Sequence, residues 1–385
     1  MTAMQSALDV DVEVDVDSHH MAADTIISFA LSAGVARATG IKSSSSMYAP
    51  PIEWKNLREV HSDDHGASFA PLQNDDRSLG QLLIPVESTD RKRKRLGGCR
   101  FVVVGGYEGR AALKSAEVYD TETSQWTMLP DMRQNRNQCG VANVRGVLYA
   151  VGGLDRGSYH KSAEFYDSAV GHWQPLPFMA ISRQGCGVTC VDGVLYVLGG
   201  SERGAGLKSA VCYEPSMGVW RDLPDMLRMR WECGAAAAGG LVYVCGGSCG
   251  ADRLRKAECY DPRTRQWREL PDMLHARQGC GAACVDGLVY VIGGNDGTTS
   301  LKSVECYSPV TGQWQAVPEM NSRRQGCGVT CADGLLYAVG GHDGKSFLAS
   351  AEVYDPATRE WQNLPRMNVP RSGCGAATVL DCCSC

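Results

Sequence analysis

Residues 278–320 read QGCGAACVDGLVYVIGGNDGTTSLKSVECYSPVTGQWQAVPEM, and this stretch decides the fold. It contains four short runs of strand-forming residues separated by turn residues. Asp286-Gly287 favours a tight two-residue hairpin between the first two runs, and Gly293-Gly294 ends the second run. The third run leads through Pro309–Gly312 into a fourth run around Trp314. The pattern predicts a four-stranded antiparallel sheet.

The same unit recurs six times at a constant step of 47 residues, which is typical of a repeated structural unit. Each unit contains a Gly-Gly doublet, then a Tyr, then a Trp. The doublets begin at Gly105, Gly152, Gly199, Gly246, Gly293 and Gly340. The Tyr residues are Tyr119, Tyr166, Tyr213, Tyr260, Tyr307 and Tyr354, and the Trp residues are Trp126, Trp173, Trp220, Trp267, Trp314 and Trp361.

The second run of each unit is apolar almost throughout, as expected for a strand that is buried on both faces. One four-stranded sheet cannot bury both of its faces, whereas sheets stacked radially around an axis do. With its doublet, Tyr and Trp in fixed register, the chain resembles the Kelch-repeat family over residues 99–380. The resemblance implies an all-β, six-bladed β-propeller.

The two ends of the repeat region are half-units. Arg100–Val104 is a second run with no first run before it, and Cys374–Val379 is a first run with no second run after it. We therefore expect the C-terminal strand to complete the first blade, which removes two open sheet edges. The propeller is predicted over residues 99–385, and residues 1–98 are predicted to be a disordered, low-complexity tail with a basic pentad at 91–95.

Composition narrows the classes of partner. The chain has 38 Lys and Arg against 43 Asp and Glu, so no basic field favours nucleic acid. The apolar run Thr25–Ala36 is too short and too diluted with Ser and Gly to span a bilayer, so no membrane partner is expected.

Most of the 18 cysteines occupy repeated positions and are expected to be buried free thiols, which favours a reducing compartment, the cytoplasm. The basic pentad is either a nuclear address or a solvated linker.

An Arg recurs just before the first strand of each unit. Loops that join second to third strands open on the same end of the ring as the segments that enter first strands; we call this end the mouth. The arginines are therefore expected to form a positive collar there. They are Arg136, Arg183, Arg230, Arg277, Arg324 and Arg371.

The family resemblance gives this collar a role. Kelch-like substrate adaptors of ubiquitin ligases read peptide motifs, often acidic, on this mouth, and the planar guanidinium group suits carboxylates. The resemblance implies a protein partner that is held by the arginines together with Gln184, Gln278, Gln325 and His342. An alternative stays open, because glutamates near the start of the third strands would neutralise the collar. These are Glu117, Glu164, Glu258, Glu305 and Glu352.

The third unit departs from the pattern. It has Val211 where the others have Glu, and the segment that follows reads Arg230-Trp231-Glu232 instead of the Arg-Gln-Gly of units two, four and five. An unpaired Arg beside an extra Trp has the composition of an interface hot spot, which makes Arg230 and Trp231 the most specific binding hypothesis. The alternative is a locally repacked blade.

The residues argue against an enzyme, although the family includes copper oxidases and sugar-processing proteins. His160, His172, His275 and His342 occupy different repeat offsets, so neither a metal site nor another cofactor is expected. Each doublet leads into a loop and a strand, never a helix, which excludes a phosphate loop. An actin-binding Kelch protein is the main alternative to a ligase adaptor. In Kelch-like adaptors BTB and BACK domains recruit the cullin, and residues 1–98 show no helical periodicity of that kind.

Overall fold

The computed structural model of the protein describes residues 98–379. The predicted disordered tail, its basic pentad and the last six residues lie outside the described residues. The described part consists of strands and turns without any helix, and it therefore has no helix that could cross a membrane.

Six four-stranded antiparallel sheets form the blades of a β-propeller, which confirms the predicted fold. The strands, from first (inner) to fourth (outer), are as follows. Blade 1 contains Gly375–Thr378, Arg100–Val104, Ala116–Asp120 and Gln125–Leu129; blade 2 contains Gly140–Val144, Val147–Val151, Ala163–Asp167 and His172–Pro175; blade 3 contains Gly187–Val191, Val194–Leu198, Ala210–Glu214 and Val219–Asp222. Blade 4 contains Gly234–Ala238, Leu241–Cys245, Ala257–Asp261 and Gln266–Glu269; blade 5 contains Gly281–Val285, Leu288–Ile292, Val304–Ser308 and Gln313–Val317; blade 6 contains Gly328–Ala332, Leu335–Val339, Ala351–Asp355 and Glu360–Leu364.

Some of the loops between second and third strands carry a short two-stranded ribbon of their own. These ribbons pair Leu154–Asp155 with Ser158–Tyr159, Ser201–Glu202 with Ala205–Gly206, and Ser248–Cys249 with Asp252–Arg253.

The hairpins between first and second strands have the turn geometry that the sequence predicts. Asp286 and Gly287 have φ angles of 50° and 75°, and Asp192 and Gly193 have φ angles of 51° and 78°. Two consecutive positive φ angles define the type I′ turn, whose twist matches that of the paired strands. These short turns keep the strands of each blade in register.

Neighbouring blades are joined by apolar packing and by an indole hydrogen bond. Each buried cluster draws residues from two adjacent blades; one contains Phe101 and Tyr119 of blade 1 with Tyr337 and Val339 of blade 6. The Nε1 atom of each of the six repeated tryptophans donates to a Pro carbonyl at the end of the preceding blade, as Trp314 does to Pro271 at 2.9 Å. The repeated Trp therefore holds blades together.

The chain ends close the ring as predicted. Residues Gly375–Thr378 pair antiparallel with the second strand of blade 1, with Phe101 opposite Thr378 and Val104 opposite Gly375. Trp126 of blade 1 also donates to the carbonyl of Pro365, which follows blade 6. The first blade is thus assembled from both ends of the described chain.

We predict that deleting residues 372–385 destabilises the whole ring, because it removes the inner strand of blade 1. The loss of several ladder hydrogen bonds, each worth roughly 1 kcal/mol net, together with the buried Ala376 and Ala377, should lower the Tm by about 10 °C or more. Differential scanning calorimetry of the two proteins measures this. Adding a peptide of residues 372–385 should restore part of the loss, and an unchanged Tm after deletion would contradict strand closure.

Candidate functional site

The six repeated arginines lie inside the protein, each with at most 1% of its surface exposed. Their Nη1 atoms donate to the carbonyl of the first Gly of a doublet at 2.6–2.9 Å. Arg277, for example, donates to the carbonyls of Gly293 and Ser303 and to Ser303 Oγ. Each side chain therefore fastens the end of the second strand to the start of the third.

The backbone of the same arginine reaches the neighbouring blade. The carbonyl of Arg277 accepts a hydrogen bond from Gly247 N of blade 4, while its guanidinium group binds Gly293 of blade 5. A Cβ on the first Gly of the doublet would meet this arginine carbonyl, at 2.5 Å for Gly246, and Gly246 has a φ of 63°. Close backbone approach and positive φ both require glycine. The doublet is structural, as the sequence indicates.

Five of the arginines form buried ion pairs with the third-strand glutamates, at N–O distances of 2.8–3.0 Å. The pairs are Arg136–Glu164, Arg230–Glu258, Arg277–Glu305, Arg324–Glu352 and Arg371–Glu117. The same carboxylates accept backbone N–H groups of the segment entering the blade, such as Leu274 N at 2.6 Å from Glu305. The expectation of an exposed arginine collar is therefore corrected, and the alternative of neutralisation by these glutamates holds for five units.

Arg183 is the arginine without a carboxylate partner, since Val211 occupies the glutamate position of its blade. It keeps its bonds to the Gly199 and Ser209 carbonyls, but its Nε atom is buried without a hydrogen-bond partner. Burial lowers the pKa of Arg183. The sequence-based hypothesis assigned the unpaired arginine to Arg230, and this is wrong because Arg230 pairs with Glu258 at 2.8 Å.

We predict that Val211→Glu stabilises the protein by about 1–3 kcal/mol, because the new carboxylate accepts from Arg183 Nε. Blade 4 shows that the fold accepts a glutamate at this position. Glu258 occupies it there with an acidic residue, Glu269, opposite on the fourth strand, just as Val211 has Asp222 opposite. Chemical denaturation measures the change. Val211→Gln is the matched control and should gain less, because a neutral amide gives no charge-assisted bond. A lower stability for Val211→Glu than for the wild type would contradict this assignment.

A ring of six backbone hydrogen bonds encircles the mouth two residues after each arginine. Each N–H donates to the carbonyl 47 residues earlier at 2.6–2.8 Å, and Gln138 N donates to Gly373 O to complete the circle. All six residues have a φ between 52° and 67°. Four of them are glycines, as this left-handed conformation favours, but Gln138 and Glu232 are not.

Gln138 and Glu232 carry side chains into one half of the mouth. Gln138 Nε2 donates to Glu232 Oε1 at 2.5 Å, and Gln278 Nε2 donates to Glu232 Oε2 at 2.8 Å. Gln184 donates in turn to Gln138 Oε1. Burial raises the pKa of the Glu232 carboxyl above its ordinary value, and the two amide donors oppose that rise. The other half of the ring has only the glycines 279, 326 and 373.

A cavity of about 260 Å³ occupies the mouth of the channel, and residues of all six units line it. Its rim includes Tyr107, Gln325 and Phe347, and Glu232 lines its wall. Deeper in the channel, one cysteine from each blade lines the cavity: Cys139, Cys186, Cys233, Cys280, Cys327 and Cys374.

The six channel cysteines are buried free thiols, as predicted. Burial raises the pKa of Cys139, Cys233 and Cys327 to about 12, so these thiols remain protonated at neutral pH. Within residues 98–379, no group of three or more His, Cys, Asp or Glu side chains is arranged to hold a metal ion. The thiols are buried among neighbouring strands, and Cys280 Sγ, for example, donates a weak hydrogen bond to the Cys245 carbonyl at 3.6 Å.

The other predicted site residues remain at the mouth. Gln184, Gln278 and Gln325 are partly exposed there, and each forms a backbone bridge to the start of a second-to-third-strand loop. The rings of His342 and Phe347, which belong to the same loop, pack with their centroids 4.9 Å apart, and His342 accepts a hydrogen bond from Gly344 N. Trp231 is partly exposed and bridges Ser248 in the same way as the glutamines.

The sequence-based site omitted Gln138 and Glu232, which form the centre of the polar network. The sequence did contain a signal for these two residues, because both occupy a position that is glycine in the other four units.

The Kelch motif family model matches six consecutive segments that together cover well over half of the chain. The segments are 97–133, 135–179, 182–227, 229–274, 276–321 and 323–368. The chain belongs to the Kelch-repeat family. The six segments of this Kelch protein correspond to the six repeated units that close into blades 1 to 6.

Curated relatives match this Kelch protein over short segments. F-box/kelch-repeat protein SKIP20 of Arabidopsis thaliana is 44% identical over 45 residues, 11% of each chain. Kelch-like protein 8 of Caenorhabditis elegans is 36% identical over 64 residues, and Kelch-like protein 41a of Danio rerio is 42% identical over 52 residues. These matches cover 17% and 14% of the present chain and 9% of each relative, so the chain spans only about a tenth of the length of its relatives.

The solved structure of YjhT resembles the propeller with a TM-score of 0.58 at 13% sequence identity. The match covers 68% of this chain and 96% of that one. At this identity the likeness shows the fold alone.

Proposed function

We propose that this Kelch protein is a non-enzymatic binding module that captures a protein partner on the mouth of its propeller. Kelch propellers are a protein-interaction fold, and the names of the relatives support a role of the adaptor type for this chain. The partner would contact the face formed by the second-to-third-strand loops and the segments that enter the first strands. The glutamines 184, 278 and 325 and His342 belong to this face.

One observation supports this face most strongly. The segment that joins blade 3 to blade 4 carries Leu227, Met229 and Trp231, which we call the apolar connection. Leu227 and Met229 are 46% and 37% exposed, and Trp231 is partly exposed. Trp231 and Met229 both pack beside Gly206 of the neighbouring loop, since a Cβ there would lie 3.0 Å from the indole and 3.5 Å from the Met229 sulfur.

The positions of Met229 and Trp231 lack this character in the other segments, whereas the position of Leu227 is again an exposed leucine, Leu274, in the next segment. Where blade 4 has Trp231, the others have Asn137, Gln184, Gln278, Gln325 and Ser372. Where it has Met229, the others have Asn135, Ser182, Ala276, Arg323 and Pro370. Exposed aromatic and methionine side chains are enriched at the centres of protein interfaces. The fold does not need them here, because five other segments form without them.

The nature of the partner differs from the sequence-based expectation. An acidic peptide was expected because six arginines would line the mouth, but those arginines are buried and five are paired with glutamate. The physical basis for an acidic preference is therefore absent. The proposed interface depends on apolar contact at Trp231 and on the polar side chains around it.

We predict that the double variant Met229→Ser/Trp231→Gln loses partner capture while it keeps its stability, because other segments carry the same residues at these positions. The tagged full-length protein is used for affinity capture from cell extract, and the bound proteins are quantified by mass spectrometry. Specific partners should fall by about tenfold or more, as expected when an interface hot spot is removed.

The matched control is Met217→Ser/Val310→Ser, which removes exposed apolar residues, 59% and 95% exposed, from turns between third and fourth strands at the opposite end of the ring. This control should capture the same partners as the wild type. Cullin-ligase subunits among the captured proteins would support an adaptor role, and co-sedimentation with filamentous actin would support the cytoskeletal alternative. Equal capture by the mouth variant and the wild type would contradict the proposed surface.

A further inference from the structure

The mouth cavity has a single carboxylate among its lining residues. Glu232 is the acidic residue among those that line it, and neither Lys nor Arg is among the lining residues. Within the described part of the chain, no Lys or Arg nitrogen forms a salt bridge with Glu232; its hydrogen bonds come from the neutral amides of Gln138 and Gln278. A carboxylate has about four acceptor positions, so two donors leave capacity for more.

The electrostatic surroundings of Glu232 leave it short of positive charge. Burial raises its pKa, which means that its ionised form is poorly solvated. Arg253 is the cation whose charge acts on it, but the Arg253 guanidinium donates instead to the Ala251 carbonyl at 2.6 Å. A second cation within the cavity would compensate the buried charge.

Two further features of the cavity wall favour a planar cation with several donors. Asn137 lines the cavity and has a side-chain oxygen that is buried against Gly373 without a hydrogen-bond partner. Tyr107 and Phe347 stand at the rim with their rings 5.5 Å apart in an edge-to-face arrangement. Aromatic faces attract guanidinium groups, and arginine offers five N–H donors in a fixed fork. A cavity of ~150 Å³ already holds a benzene molecule, so about 260 Å³ is sufficient for such a group.

We propose that the mouth cavity binds an arginine side chain of the partner, with its guanidinium group on Glu232 and its stem against the Tyr107–Phe347 ring pair. This inference rests on the proposed function and specifies the chemistry of the inserted group. The side chain enters from the mouth beside Gly279, Gly326 and Gly373, which carry no side chain of their own; Gln325, Ser372 and Asn137 pack against these glycines.

The backbone at Glu232 gives independent support. Glu232 has a φ of 52°, in a conformation where four of the six equivalent residues are glycine. A non-glycine residue in this region is uncommon and strains the backbone. The left-handed conformation favours glycine here, and the glutamate that occupies it places a carboxylate in the cavity wall, where it accepts from Gln138 and Gln278.

The test uses capped tripeptides as probes and the full-length protein. The peptide N-acetyl-Gly-Arg-Gly-amide should bind in ligand-observed NMR titrations at millimolar concentration. The citrulline analogue, which keeps the shape of arginine but has no charge, should bind about tenfold more weakly or worse. The N-acetyl-Gly-Glu-Gly-amide peptide should not bind.

On the protein side, Glu232→Gln removes the charge and Glu232→Gly restores the residue found in the other units. Both should fold, as circular dichroism and the Tm verify, and both should weaken binding of the arginine peptide by about tenfold or more. Met229→Ser/Trp231→Gln should bind the tripeptide like the wild type, because the apolar connection is separate from the cavity lining.

Two results would overturn the arginine site: no binding of the arginine peptide to the wild type, or equal binding by wild type and Glu232→Gln. Neither result would contradict the proposed partner surface, because the capture experiment tests that surface separately. Conversely, a failed capture experiment leaves the peptide titration unaffected, so the two proposals are separable.

Discussion

The propeller depends on a single repeated cross-link in which a buried arginine joins two blades. Its carbonyl accepts from the second glycine of the preceding blade, and its guanidinium group binds the first glycine and the third strand of its own blade. The glutamate then neutralises the cation and secures the entering segment through backbone N–H groups. Because Arg371 and Glu117 make the same pair across the closure, the cross-link runs around the whole ring.

Most of the fold was predictable because it is periodic. A step of 47 residues, Asp-Gly turns and half-units at both ends were sufficient for the blade count and the closing strand. The exposure of the arginines was not predictable in the same way, since their position near the mouth does not reveal the direction of the side chain. The strict repetition of the arginines was the better indication, because a residue that is identical in every blade fills a structural role that all blades share. Only the structure reveals that Val211 occupies the position of the glutamate partner of Arg183, because such partners lie 28 residues apart in the sequence.

The candidate site, unlike the fold, consists of residues that depart from the repeat. Binding specificity on a regular scaffold must come from residues that break the repeat, and the mouth concentrates such residues between blades 3 and 4. Trp231 and Met229 replace polar or small residues, and Glu232 replaces glycine at the cost of a left-handed backbone. These exceptions lie beside the open half of the channel. The buried arginines, five of them paired with glutamate, fasten the strands that carry these side chains.

Replacement of Arg324 by methionine tests the structural role of the arginines most directly. Removing one partner of a buried ion pair costs about 3–5 kcal/mol, so Arg324→Met should lower the Tm by roughly 10 °C while the fraction that stays folded captures partners normally. Calorimetry and capture at low temperature on the same preparation measure both quantities. An unchanged Tm together with lost capture would contradict this role and make Arg324 a binding residue.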